Sequence, residues 1–473
     1  MTIFTLREAA ALIPGAVVIG DESVALDRVS TDSRTAGAGD LFVAVKGDRF
    51  DAHDFLKQVA ERGASAALVS REPLDASLPV IKVKDTRAAL GALAHGWRER
   101  FTMPLVAVTG SNGKTTVKEM IASIFSAAVG EAACMATAGN FNNDIGLPLT
   151  LFRLNATHRL AVVELGMNHP GETEVLGKIA APTVSVVNNA QREHQEFMAT
   201  VEAVALEHAS VIHALGDTGT AVFPADDAYA SIWRVAATGN PIVDFALSDD
   251  PSKAAVTGRI AGTSVEIVTP QGPLSVALRV LGEHNARNAL AATAAALAAG
   301  VSLDAIRRGL EAFEPVKGRL QVKRAALEPI EGATVIDDTY NSNPDSMRAA
   351  IDVLAAQPSP RVLVMGDMGE VGDQGPAFHR EVGAYAAERG IDALFALGDA
   401  SADSARAFHS AASNRTAKHL TDVTQLIAAL TQAGFGSGAT FLVKGSRFMQ
   451  MERVVDAVTS PHQPASGTAP AAH

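Results

Sequence analysis

Cysteine is nearly absent: Cys134 is the only one in 473 residues, which excludes an internal disulfide and suits a reducing cytosol. Positive charge is in deficit as well. Against 40 Lys and Arg stand 52 Asp and Glu, for a net charge of −12. No basic cluster offsets that balance, so nucleic acid is not expected as a partner. Arg7 and Glu8 interrupt the start of the chain before any apolar core develops, so no signal peptide is expected. Long apolar runs are missing too. The Ala-rich stretch 288–301 is too short and too weakly apolar to span a bilayer, so it is expected as a packed helix, with no membrane partner.

Apolar residues make up 47% and charged residues 19% of the chain, an ordinary balance for a folded globular protein. The length suggests about three domains, each with its own core. The most informative stretch is 104–129. Pro104-Leu-Val-Ala-Val-Thr109 is a short β-branched run of strand length, and Gly110-Ser111-Asn112-Gly113-Lys114-Thr115-Thr116 follows it. Val117, Met120, Ile121, Ile124 and Phe125 then recur at helical spacing. Strand, glycine-bearing loop and helix form the setting in which backbone N–H groups cradle phosphate. Lys114 can there reach the β- and γ-phosphates, and the Thr115 hydroxyl can hold Mg²⁺. Val108 stands where the general phosphate-loop pattern has its first glycine.

Residues 1–85 read as a compact α/β unit with strands near 41–45 and 66–69 and a helix near 53–62. Polar clusters at 30–34 and 46–53 interrupt it, and each alone resembles a solvated loop. A second unit spans 86–315. In it, Glu164 ends one apolar strand and His194 follows another (184–189), which places both on the rim that carries Lys114. The pattern at 254–281 alternates with glycine turns, as antiparallel strands do. The third unit, 316–460, alternates strands (334–338, 361–365, 393–397, 440–443) with helices, implying βαβ units on a mostly parallel sheet. Gly366-Asp-Met-Gly369-Glu-Val-Gly372 has the wrong glycine spacing for a dinucleotide loop, and its acidic residues would repel a pyrophosphate. Residues 461–473 have the composition of a disordered tail.

These signals together resemble one family along nearly the whole chain, the Mur ligases of peptidoglycan synthesis. The resemblance rests on Thr109-Gly-Ser-Asn-Gly-Lys-Thr-Thr116, Gly139-Asn-Phe-Asn-Asn-Asp-Ile-Gly146, Glu164-Leu-Gly166, His194 and His284-Asn-Ala-Arg-Asn288. Further carriers are Gly318-Arg319, Asp337-Asp-Thr-Tyr-Asn-Ser-Asn-Pro344 and Lys444-Gly-Ser-Arg447. The family's own phosphate loop lacks the early glycine, so Val108 agrees with it. The implied fold is α/β with three domains. A central P-loop ATPase-like domain is flanked by a C-terminal Rossmann-like domain and a smaller N-terminal α/β domain.

The implied activity is that of an ATP-dependent ligase. A carboxylate does not react with an amine until it is phosphorylated, and Mg²⁺ draws charge from the phosphates as that happens. The third-unit motifs imply UDP-N-acetylmuramoyl-tripeptide and D-alanyl-D-alanine as substrates, and a monomer is expected. By resemblance, Gly110 to Thr116 with Asn285, Arg319, Asp338 and Tyr340 hold ATP, while Thr115, Glu164 and His194 ligate metal. Lys114, Glu164 and His194 are the implied catalytic set. Ser33, Arg34 and Lys46 would hold the UDP end, and Asn142, Asn143, Asn343, Lys444 and Arg447 other parts of the substrates.

One position departs from the family. Many members carry a lysine, carbamylated by CO₂, that supplies an anion to a second metal. Here there is no lysine between Lys178 and Lys253, and His208 aligns at that position. A neutral imidazole ligates metal but brings no charge, which leaves His208 or its neighbour Glu207 as the expected substitute.

Two other readings use the same loop. Folylpolyglutamate synthases share the chemistry but resemble only the second and third units. A nucleotide-gated switch protein would need no amine acceptor.

Overall fold

A computed structural model describes residues 2–47, 50–71 and 78–460. The expected tail and part of the 46–53 cluster (Asp48 and Arg49) lie outside the described residues. The N-terminal sheet has five strands in the order Val17–Ile19, Val80–Lys82, Ala66–Val69, Asp40–Val43, Arg28–Ser30. All pairs are parallel except the first. Arg28 and Asp40 face each other in register on adjacent strands, and the guanidinium donates Nε–H to Asp40 Oδ1 at 2.7 Å. That pairing keeps a buried carboxylate satisfied at the sheet edge. The helix Thr86–Arg98 leads out of this unit, capped by the Asp85 carboxylate.

The central sheet is all parallel, in the order Thr220–Val222, Val184–Val187, Leu105–Thr109, Leu160–Glu164, Cys134–Ala136. Every residue of Leu105–Thr109 is buried, as a strand covered by helices on both faces requires. Val108 belongs to that strand, paired with Glu164 and Val186. The chain turns only after Thr109, so a glycine at 108 would serve no turn. The helix Lys114–Val129 then packs against Glu283–Ala298 and Leu303–Ala312. Glu283–Ala298 is the Ala-rich segment, and its small side chains lie in the core as expected. Among the described residues no helix is long and apolar enough to cross a membrane. The strands Val256–Ala261, Ser264–Thr269 and Gly272–Ala277 pair antiparallel.

The C-terminal sheet has six strands in the order Gln321–Arg324, Thr334–Asp338, Thr440–Lys444, Arg361–Gly366, Ala393–Leu397, Thr416–Leu420. Only the first pair is antiparallel. The last strand returns between Thr334–Asp338 and Arg361–Gly366, so Asp338 and Lys444 end side by side.

Helix packing in the central unit depends on one small residue. A Cβ at Gly309 would lie 2.3 Å from Ile124 Cα, backbone that cannot yield. Gly309→Ala is expected to lower the urea midpoint by the equivalent of about 1–3 kcal/mol. An unchanged midpoint in equilibrium unfolding would contradict this packing.

Candidate active site

The loop after Thr109 takes a shape that asparagines from the next strand impose. Gly113 has φ +79°, and a Cβ there would lie 2.5 Å from Asn288 Oδ1 and 2.7 Å from Asn188 Nδ2. No other residue fits. The Asn188 and Asn189 side-chain amides donate to Asn112 O at 2.7 and 2.9 Å, and Asn112 N donates to Asn189 Oδ1 at 2.9 Å. Ser111 is held in turn by Gln191, whose N–H donates to its Oγ at 2.8 Å. Asn288 Oδ1 accepts from Asn188 at 2.9 Å, and Asn288 Nδ2 donates to Asn285 Oδ1 at 3.0 Å. The loop is thereby tied to a second strand and to the start of a second helix.

Lys114 points along the loop. Its Nζ donates to the carbonyls of Gly110 and Ser111 and, at 3.2 Å, to Glu193 Oε2. Glu193 is buried, and its other oxygen lies 2.9 Å from His208 Nε2. His208 Nδ1 is 3.0 Å from Thr109 Oγ1. An ionised carboxylate only accepts, so His208 donates its Nε2–H to Glu193 while Nδ1 pairs with the Thr109 hydroxyl. Burial alone would raise the Glu193 pKa, but Lys114 and then His208 hold the carboxyl down to about 2. Neither expected stand-in for the missing lysine faces the cleft directly. His208 sits behind Glu193, and the Glu207 carboxylate accepts from Gly171 N and Thr173 N at 2.8 Å each, at the start of the helix Glu172–Ala180. Glu193 itself escaped the sequence reading, since its polar neighbours suggest a solvated loop.

Glu164 lies at the end of its strand, as expected. Oε1 accepts from Asn142 Nδ2 at 2.8 Å, while Oε2 is buried and has no hydrogen-bond partner. His194 has φ +46°, and its Nδ1 lies 2.9 Å from Glu370 Oε2, off the line a hydrogen bond needs. That imidazole holds the Glu370 carboxyl below the ordinary range. Glu370 and Leu320, both on the C-terminal unit, also have positive φ, at +57° and +54°. Residues in that region cost on the order of 1–3 kcal/mol each, and here all three line one cleft.

The C-terminal unit forms the opposite wall. An Arg319 amino group donates to Thr115 Oγ1 at 2.9 Å, and its guanidinium lies 4.3 Å over the Tyr340 ring. Asn343 caps the helix Pro344–Ala355 and donates Nδ2–H to Asn112 Oδ1 at 2.9 Å. Lys444 Nζ donates to Asp338 Oδ2 at 2.6 Å. Arg192 reaches across to two carboxylates, with 2.6 Å to Asp345 Oδ1 and 2.7 Å to Glu381 Oε2, above the Phe378 ring.

Between these walls lies a cleft of about 1270 Å³, more than the roughly 300–1,000 Å³ of a single small-molecule site. Ser111 to Thr116, Asn142, Asn143, Glu164, His194, Asn285, Arg319, Asp338, Tyr340, Asn343 and Lys444 all line it. Gly110 shapes the loop beneath. Asn143 spends its side-chain oxygen on the N–H groups of Ile145 and Gly146. Ser33, Arg34, Lys46 and Arg447 do not line the cleft. Arg34 folds onto Asp32 and Arg447 onto Glu452, and both are largely exposed. Among the described residues no three or more His, Cys, Asp or Glu side chains are gathered to hold a metal. Mg²⁺ needs no such cage, because it keeps water and takes phosphate oxygens beside one or two carboxylates. The partnerless Glu164 oxygen fits that partial role.

A phosphate loop facing a second α/β unit across such a cleft defines a nucleotide-dependent enzyme class, and comparison with known proteins specifies it. Three family descriptions match in series: "Mur ligase family, catalytic domain" over residues 26–98, "Mur ligase middle domain" over 108–296, and "Mur ligase, glutamate ligase domain" over 318–447. The chain belongs to the Mur ligase family. It is 40% identical to the UDP-N-acetylmuramoyl-tripeptide–D-alanyl-D-alanine ligase of Escherichia coli strain K12, covering 97% of this chain and 99% of that one. The ligase of that name from Haemophilus influenzae is also 40% identical, over 93% and 95% of the two chains. MurF from Acinetobacter baumannii superposes with a TM-score of 0.86 at 35% identity, over 96% of this chain and 98% of that one. MurF from Thermotoga maritima in complex with ADP gives 0.78 at 25% identity, over 91% and 96%.

Arg192 is the strongest charged link between the two walls. Arg192→Ala removes the cross-unit partner of Asp345 and leaves Glu381 to Arg348 of its own unit, so the ligand-free protein is expected to open. Small-angle scattering should show a larger radius of gyration, and an unchanged radius would contradict the link.

Proposed function

We propose that this chain is an ATP-dependent ligase that joins D-alanyl-D-alanine to UDP-N-acetylmuramoyl-tripeptide through an acyl phosphate. It acts as a cytoplasmic monomer and makes UDP-MurNAc-pentapeptide. The observation that carries the reading is that the Lys114 loop, the partnerless Glu164 oxygen and the Arg319–Tyr340 stack share one cleft between two units. Motifs from both units are needed for a reaction that brings a phosphoryl donor, an acid and an amine together.

The loop N–H groups and Lys114 bind the β- and γ-phosphates, and Arg319 with Tyr340 and Asn285 holds the rest of the nucleotide. Thr115 and Glu164, with His194 at the rim, would hold Mg²⁺, which would supply neutralisation of phosphate charge. The γ-phosphoryl passes to the tripeptide carboxylate and ADP leaves. Asn142 fixes the Glu164 carboxylate by its hydrogen bond. Asp338 acts through Lys444, whose ammonium it orients toward the cleft. Asn343, Lys444 and Arg447 face the incoming amine and acyl group as the C-terminal unit closes. The free amine of D-alanyl-D-alanine attacks the acyl carbon, and phosphate leaves with the former carboxylate oxygen. Residues 1–85 hold the UDP end through Ser33, Arg34 and Lys46, while 86–315 and 316–460 form the catalytic walls.

Phosphate release should require both the UDP-tripeptide and D-alanyl-D-alanine, and it should stop when Mg²⁺ is chelated. Release without an amine acceptor would favour a nucleotide switch instead. Lys114→Ala is expected to lower turnover by about 10²–10³ or more with an unchanged melting curve. Near wild-type turnover in that variant would remove the phosphate-loop assignment. Arg34→Ala combined with Lys46→Ala should raise KM for the UDP substrate and leave KM for ATP unchanged. Equal KM values for the UDP substrate would place its binding elsewhere.

A further inference from the structure

Glu193 has no role in the reaction described so far, yet it is one of the most enclosed charges in the cleft. Its residue exposure is 5%, and that of His208 is 0%. Each carboxylate oxygen has one hydrogen-bond partner, Lys114 Nζ at 3.2 Å and His208 Nε2 at 2.9 Å, and His194 Nε2 lies 3.9 Å from the oxygen that Lys114 holds. A carboxylate so far from water must be balanced by a cation. Lys114 is that cation, and the rest of its donors go to the loop carbonyls of Gly110 and Ser111.

Nucleotide phosphates compete for the same ammonium. When Lys114 turns to them, Glu193 keeps the imidazoles of His208 and, at 3.9 Å, His194, and faces added negative charge. A cation arriving with the phosphates takes the place that Lys114 leaves. The partnerless oxygen of Glu164 lines the same cleft.

We propose that Glu193 exchanges cations: it holds Lys114 while the site is empty and becomes a partner of the divalent cation once nucleotide is bound. His208, anchored on Thr109 at 3.0 Å, is the positioning residue that keeps the carboxylate in place through both states. The proposal rests on the reading of the cleft as a nucleotide site. It makes nucleotide and metal binding depend on each other. Metal-free nucleotide is opposed by Glu193, because it removes Lys114 and adds repulsion, whereas the metal complex is favoured by it. Removing the charge should therefore move the two affinities in opposite directions, which a residue that merely supports packing cannot do.

The test is calorimetric titration of the full chain with β,γ-methylene-ATP, once with a chelator and once with Mg²⁺, for wild type, Glu193→Gln and His208→Gln. Glu193→Gln is expected to bind the metal-free analogue about tenfold tighter than wild type and the Mg²⁺ complex about tenfold weaker. Mn²⁺ bound in the presence of the analogue, counted by electron paramagnetic resonance, should fall in parallel. His208→Gln should shift both affinities with the same signs and by less, and it carries the test if the first variant does not fold. Equal weakening under both conditions, or no change in either, would overturn the exchange. Wild type that binds the analogue under neither condition would overturn the nucleotide reading as well.

Discussion

The Lys114 ammonium lies 3.2 Å from the Glu193 carboxylate; the carboxylate is almost out of water and the lysine partly so. Neither charge could stay there alone, and the surrounding structure is arranged to keep them together. His208 comes from the helix Val201–His213, which packs behind the central sheet, and it spans from Thr109 on the loop strand to Glu193 on the next connection. The same connection carries Asn188, Asn189 and Gln191, which fix the loop backbone. The loop backbone is thereby fixed before phosphate arrives, and only the Lys114 side chain has to change partners; preorganised surroundings are where electrostatic catalysis gains most.

The second constraint is that the cleft exists only while two units face each other. Arg192 leaves the connection that bears Glu193 and His194 and binds two carboxylates of the C-terminal unit. Arg319 and Asn343 reach back to Thr115 and Asn112. The left-handed conformations of His194, Leu320 and Glu370 fall along this junction. Strain of this kind persists where surrounding contacts over-determine the backbone. It also leaves the junction ready to rearrange when ligands replace the protein's own contacts, as closure around several substrates requires.

Much of this was legible in the sequence, because much of it is local. The strand, loop and helix around Lys114 follow one another in the chain, and the strand-end rule put Glu164 and His194 on the right rim. Edge elements were harder to see. The strands Gln321–Arg324 and Thr416–Leu420 are half polar and partly exposed, so they lack the apolar run that marked their neighbours. Glu193 was invisible because its partners are far away in sequence, and nothing in Gln191-Arg-Glu-His194 separates a buried anion from a solvated turn. Alignment put His208 at a metal, whereas the helix packing turns it toward Thr109 and makes it the support of another residue's charge. Asp367, rejected as part of a dinucleotide loop, accepts from Ser401 N at 2.7 Å and ties two strand ends together.

The account as a whole stands on activation of a carboxylate in this cleft, and oxygen transfer tests that step most directly. UDP-N-acetylmuramoyl-tripeptide labelled with ¹⁸O in its reacting carboxylate should be ligated to D-alanyl-D-alanine with ATP, and the phosphate released should be analysed by mass spectrometry. The account predicts one ¹⁸O atom in each phosphate, carried over when the amine displaces it from the acyl phosphate. Phosphate without label, from a reaction that still forms the amide, would contradict it.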